Sequence, residues 1–155
     1  MTLEQNIKQA TFKSQQHKLA VNLLYTSHWL NYKVHCQFKN LEITQQQYNV
    51  LRILRGQYPN SCNLRLIKER MLDPMSDASR IIYKLTKKGF VISNDNAIDR
   101  RQLDLLISDK GLKLLETLDY IDDSFNDYFK KLNEEEVLAL NTLLDKLHKH
   151  NTSSS

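Results

Sequence analysis

A chain of 155 residues suffices for one domain, or one domain with a helical extension, and a hydrophobic fraction of 41% supplies a core. Three glycines and two prolines leave few chain breakers, which points to a mostly helical protein. No apolar run reaches the roughly 20 residues of a membrane span, and the N-terminus lacks the charged-then-apolar layout of a secretion signal, so the expectation is a soluble, cytoplasmic protein. The net charge of +4 is modest but unevenly spread. Residues 61–101 carry nine Lys/Arg against five Asp/Glu, and residues 116–145 carry two against nine. That polarity suits a molecule with one end toward phosphates and the other away from them, although solvated faces give the same counts.

Residues 4–38 contain no Gly or Pro and read as one long helix or two abutting ones. Ile7, Ala10, Ser14, His17, Val21, Leu24, His28, Tyr32 and His35 form a stripe at spacings of three and four, widened by Tyr25 and Trp29. The stripe is only half apolar, easier to cover with a second chain than to bury in one small domain. Residues 41–56 read as a second helix, with Thr44 and Gln47 as a capping box and Gln47, Val50, Leu51 and Leu54 as its buried face. After a loop at 57–63, residues 64–71 form a short helix that turns Leu64, Ile67 and Met71 to the core.

The next helix has clear punctuation: Asp73 as the cap, Pro74 in the first position and Gly89 as the left-handed stop. At 100° per residue, Met75, Ala78, Ile81, Ile82 and Leu85 share one face, and Ser76, Ser79, Arg80, Tyr83, Lys84 and Lys87 the other. Joined to the preceding helix through Leu72 and Asp73, it makes a helix-turn-helix. The period then changes. Phe90, Val91 and Ile92 read as a short strand, residues 93–98 as a polar turn, and Leu103, Leu105 and Ile107 as the return strand behind Asp99, Arg100 and Arg101. Ser108 caps a long helix to about Leu132 with Leu112, Leu115, Leu118, Phe125 and Phe129 as its stripe. Asn133 with Glu136 caps the last helix, where Val137, Leu140, Leu144 and Leu147 form a seam. Residues 151–155 read as a frayed tail.

A helix with hydroxyls and cations outward, followed by a hairpin with paired arginines, has the parts of a winged helix-turn-helix. Hydroxyl and guanidinium groups reach base edges in the major groove, and a hairpin arginine enters the narrower minor groove. The candidate DNA-binding set is therefore Ser76, Asp77, Ser79, Arg80, Lys84 and Lys87 on the helix, with Arg80 the main base reader, and Arg100 and Arg101 on the hairpin. Asn63 and Arg65, at a helix start that attracts phosphate, join it as backbone contacts. A solvated surface helix and a hairpin merely braced by its arginines would use the same residues.

At Ile43-Thr44, Gln47-Tyr48 and Val50-Leu51, then Met75-Ser76-Asp77-Ala78-Ser79-Arg80, then Leu85 with Lys88-Gly89, the sequence resembles the MarR family of bacterial transcription regulators. Asp99-Arg100-Arg101, residues 103–107 and Ser108-Asp109-Lys110-Gly111 complete the pattern, which runs from about Leu19 to Leu147. The resemblance implies a mostly α, α+β winged-helix fold: one domain over 1–150, a winged helix-turn-helix lobe over 41–107, and helices of 1–39 and 109–150 that interlock two subunits. It implies a homodimer on a pseudo-palindromic site in double-stranded DNA, more often repressor than activator, released by an effector and working without a cofactor. It also implies that Asp99 orients one wing arginine while the other touches DNA, without saying which. One departure is visible: where many members carry basic residues before the wing turn, Ser93-Asn94-Asp95-Asn96 has none and contains an acid, so the wing binds weakly or reads shape.

Tyr25, His28, Trp29, Tyr32 and Tyr48 are the candidate lining for an aromatic or phenolic effector, and aromatic core packing accounts for them equally. His28 and His35 lie seven residues apart, too far for one metal ion without other helices, and no CxxC or HxxxH is present, so no metal site is expected. Cys36, near the end of the first long helix, is a candidate redox thiol, and Cys62 the only other. No Gly-rich phosphate loop, GxSxG or HExxH appears, and the expectation is a non-enzyme. The rival reading is a winged helix without DNA that holds a protein partner through its acidic C-terminal helices.

Overall fold

The computed structural model describes residues 2–9 and 11–148. The elements run α1 (Leu3–Ile7), α2 (Gln15–Phe38), α3 (Gln45–Gln57), α4 (Leu64–Arg70), α5 (Ala78–Lys87), β1 (Val91–Asp95), β2 (Leu103–Ile107), α6 (Asp109–Leu118), α7 (Tyr120–Phe129) and α8 (Glu134–His148). They fall into two compact units, Met1–Leu115 and Glu116–Ser155. The stripe position Ala10 and the tail at 151–155 lie outside the described residues.

In the first unit, α3, α4 and α5 pack on one another and on the ribbon of β1 and β2. Val50, Leu51, Leu54, Ile67, Leu85, Phe90, Leu105 and Ile107 are all buried there. At about 1.5–3 kcal/mol for each large side chain removed from water, this cluster far outweighs any single cap or surface ion pair. The predicted face of α3 is buried throughout, including Gln47 at 4% exposure. Its amide is satisfied: Gln47 Oε1 accepts from Thr44 N at 3.1 Å and from Lys88 Nζ at 3.4 Å, while Thr44 Oγ1 accepts from Gln47 N at 3.2 Å. The capping box predicted for Thr44 is therefore in place, and the helix begins after it rather than at residue 41.

Residues 4–38 do not form one helix. Lys8 takes a left-handed conformation (φ 54°) that ends α1, and Ser14 starts α2 by accepting from His17 N at 3.1 Å. Ile7 thus leaves the stripe. Lys18 ties the two helices together through a 2.5 Å ion pair with Glu4, whose carboxyl is held down at about 2, chiefly by that hydrogen bond.

The start of α5 also differs from expectation. The punctuation of Asp73 and Pro74 predicts a helix start, but the two residues open a turn in which Ser76 N donates to Asp73 O at 3.2 Å. Asp at the first position and Pro at the second are equally the signature of a β-turn, and the residue before proline avoids helical angles. The Asp73 carboxylate is taken by Met75 N at 3.0 Å and the Ser76 hydroxyl at 2.8 Å. Asp77 is the true cap, its Oδ1 accepting from Arg80 N at 3.0 Å. Met75, expected on the apolar face, is consequently 91% exposed, and Ser76 belongs to the turn. Ala78, Ile82 and Leu85 remain the buried row of α5.

Gly89, at φ 80°, provides the expected left-handed stop. The ribbon is antiparallel, pairing Val91 with Ile107, Ser93 with Leu105 and Asp95 with Leu103. β1 therefore runs through Ser93, Asn94 and Asp95, which the polarity of those residues had marked as turn. Leu105 and Ile107 point inward, whereas Leu103, at the outer end beyond the core, is exposed. On its other side Leu105 exchanges both backbone hydrogen bonds with Cys62, at 2.8 and 2.9 Å.

The ribbon is anchored at its base. Ser108 Oγ donates to Gly89 O at 2.6 Å, Lys110 Nζ donates to Lys88 O at 2.8 Å, and Lys88 Nζ donates to Glu42 O. Gly111 sits so close that a Cβ there would lie 2.5 Å from Phe90 O and 2.8 Å from Ile107 Cγ1.

The helix predicted from Ser108 to Leu132 is interrupted at Asp119, where a tighter Asp122 N to Asp119 O bond (3.2 Å) replaces the regular ladder. In the second unit Asn133 and Glu136 cap α8 reciprocally, each backbone N–H donating to the other's side chain at 2.9 Å. Val137, Leu138, Leu140, Leu143 and Leu147 of α8 are all exposed.

Candidate nucleic-acid interface

The outward face of α5 carries Ser79, Arg80, Tyr83, Lys84 and Lys87, all exposed. Its orientation follows from the opposite row, because burying Ala78, Ile82 and Leu85 leaves these positions nowhere else to point. Among the described residues, the Arg80 guanidinium and the Lys84 ammonium make no ion pair or hydrogen bond. Two like charges at i and i+4 cost an isolated helix about 0.2–0.5 kcal/mol, a penalty that an anion laid across them removes. Lys87 differs, its ammonium lying 5.5 Å from the centre of the Tyr83 ring.

The remaining members of the predicted set lie in the turn before α5, on α4 and in the wing. Asp77 is committed to capping α5, and Ser76 to the Asp73 turn. Asn63 caps α4, its Oδ1 accepting from Leu66 N at 3.0 Å, and Arg65 pairs with Glu69 at 2.8 Å on the exposed surface of the same helix. In the wing, Asp99 is occupied by the hairpin: its Oδ1 accepts from Arg101 N at 3.0 Å and lies 3.8 Å from Arg101 Nε, and its Oδ2 accepts from Gln102 Nε2 at 3.3 Å. Arg100 is exposed and has no partner among the described residues. Asp99 thus leans on Arg101 and leaves Arg100 free.

The candidate effector residues are less gathered. Tyr25, His28, Trp29 and Tyr32 share one side of α2, where Trp29 is half-buried and the other three exposed. Tyr48, on α3, is instead buried against Phe38, with ring centres 5.2 Å apart, and its hydroxyl accepts from Arg52 at 3.4 Å. The Tyr32 phenol is raised from its ordinary value, first by its hydrogen bond with the Cys36 side chain. Cys36 is exposed, and Cys62 is buried with its thiol pushed up by that burial. His17 and His28 make local contacts: His17 Nδ1 accepts from Lys13 N at 3.3 Å, and His28 Nδ1 lies 3.2 Å from Leu24 O.

Sequence reasoning missed the exposure of three large apolar side chains of the first unit. Leu72, Met75 and Ile98 are 84%, 91% and 97% exposed. The sequence pattern assigns Leu72 to the junction, Met75 to the apolar face and Ile98 to the turn, and only the polar setting of Ile98 marks it as odd. A cleft of about 240 Å³ is lined by Lys68, Met71, Pro74, Ser76, Asp77 and Ala78. Among the described residues no helix is long and apolar enough to cross a membrane.

No protein-family model and no curated protein sequence matches the chain. Solved structures do. An organohalide-sensing transcriptional regulator with 2,4-dichlorophenol bound is similar at a TM-score of 0.78 and 19% identity, over 92% of this chain and 87% of that one. A Staphylococcus aureus regulator, MepR, in complex with DNA aligns at 0.73 and 21% identity, over 84% and 96%. A Bacillus cereus protein described as a MarR-like transcription regulator aligns at 0.71 and 22%, over 89% and 99%. With the helix-turn-helix, the anchored ribbon and the flanking helices all in place, the chain has the winged-helix fold of the MarR-like transcription regulators.

Proposed function

We infer that the protein is a MarR-family regulator that binds a specific site in double-stranded DNA as a homodimer and represses transcription from it. The observation that carries this reading is the unpaired cationic face of α5, Arg80 and Lys84 with Ser79, in the same compact unit as a wing whose Arg100 is also free. Free cations next to hydroxyls suit a groove edged with phosphates and base acceptors. The DNA complex of the similar S. aureus protein supports it. Two α5 helices, one from each subunit, would enter successive major grooves about one DNA turn apart, which calls for a pseudo-palindrome. The exposed apolar residues Leu19 and Leu24 of α2, and Leu140 and Leu147 of α8, are the surfaces offered to the second copy.

An aromatic or phenolic small molecule is the effector class, with Tyr25, His28, Trp29 and Tyr32 of α2 and Tyr48 of α3 as its candidate contacts. The dichlorophenol in the similar organohalide sensor supports this class. Such a ligand releases DNA only if it binds the DNA-incompetent arrangement more tightly.

The test is selection of duplexes from a randomised pool, followed by gel retardation of the winning sequence and of a scrambled one at two salt concentrations. Selective retardation that weakens steeply with salt is expected. Equal, feeble binding to both duplexes overturns the reading and leaves a partner-binding module in its place.

A further inference from the structure

We propose that Ile98 is a DNA-contacting residue: it leads the wing into the minor groove and makes apolar contact with the groove walls, alongside the charge of Arg100. The proposal rests on the DNA-binding reading above and names how the wing engages. Ile98 is 97% exposed, the most exposed large hydrophobic side chain among the described residues, and it stands in the hairpin turn, where Ala97 is its only apolar neighbour between Asn96 and Gln102. Single exposed hydrophobics are ordinary on protein surfaces. This one is held outward. The backbone N–H groups of Ile98 and Asp99 both donate to Asn96 Oδ1 at 2.9 Å. Asn96 is fixed in turn, its Nδ2 donating to Asp104 Oδ1 at 2.8 Å and its backbone N–H to Gln102 O at 3.0 Å. The loop cannot fold Ile98 back onto the ribbon without breaking that network.

Charge points the same way. Between residues 91 and 107 the acids Asp95, Asp99 and Asp104 outnumber the arginines Arg100 and Arg101. Of those arginines, Arg101 leans on Asp99. A ribbon with a net negative charge is poorly held to phosphates by electrostatics alone. An apolar tip supplies what is lacking, because the minor-groove walls are sugar and isoleucine is among the side chains that proteins insert there.

The experiment compares wild type, Ile98→Ser, Ile98→Leu and Arg100→Ala on the duplex that the wild type selects, across a salt series, with thermal melts to confirm folding. Ile98→Ser should weaken binding about tenfold, the loss of a partly buried aliphatic contact, with an unchanged slope of log affinity against log salt. Ile98→Leu should restore most of that loss. Arg100→Ala should weaken binding and also flatten the slope by about one. Wild-type affinity in Ile98→Ser, or a loss that Leu does not repair, overturns the proposal while the DNA-binding reading stands. Failure of the wild type to select any duplex overturns both.

Discussion

At the scale of single residues, the informative groups are those that lack an internal use. Arg80 and Arg65 are both exposed cations on neighbouring helices, yet Arg65 is engaged with Glu69 and Arg80 is not. Replacing Arg80 by alanine should leave the melting temperature nearly unchanged, since its side chain is exposed and makes no ion pair or hydrogen bond among the described residues. It should weaken the selected duplex by about 1–3 kcal/mol, the worth of a bidentate base contact. Fluorescence anisotropy on selected and scrambled duplexes decides its role: a larger loss on the selected one marks a base reader, and equal losses mark a phosphate contact.

Elements are where the winged helix is decided, and where a single methyl group should be felt most. Gly111 lies on the first turn of α6 with its missing Cβ aimed at Phe90 O and Ile107 Cγ1. Alanine at this position is a better helix former, which favours the change by up to about 1 kcal/mol. The overpacking against backbone costs about 1–3 kcal/mol, so Gly111→Ala should lower stability in urea or thermal denaturation. A variant as stable as wild type would mean that the ribbon base is slacker than it looks. Much of this lobe was legible in the sequence, because α3, α4 and α5 each bury one face and the periodicity of Val50, Leu51, Leu54, Ile82 and Leu85 records it. The starts of elements were less legible. Asp73-Pro74 and Asp77 are both valid caps worth about 1 kcal/mol each, so local sequence could not choose between them; the turn closed by Ser76 did. The break at residues 8–14 contains no proline or glycine to announce it, and the pairing of Cys62 with Leu105 joins residues too far apart for any local pattern to show.

For the whole molecule, the question is what covers the apolar surface that each helix leaves open. Leu19, Leu24 and Tyr32 on α2 and Leu138, Leu140, Leu143 and Leu147 on α8 are exposed, and α8 has no buried residue among those described. A fifteen-residue helix with so little of its own packing is marginal in isolation. Sedimentation velocity should therefore find dimers at micromolar concentration, and the double change Leu140→Asp and Leu147→Asp should shift them toward monomers that bind the selected duplex more weakly. A wild type that sediments as a monomer at every concentration would defeat the proposed two-fold site. The selected duplex itself offers an independent check through the symmetry of its sequence.

The two thiols lie in very different surroundings: Cys36 is open to solvent, and Cys62 is walled in, paired to the ribbon and harder to ionise. A maleimide dye or nitroxide would thus mark every subunit once, at the far end of α2, without engineering. In a two-fold assembly those tags form a ready-made ruler, and its reading with and without a phenol would report whether the separation of the mates changes.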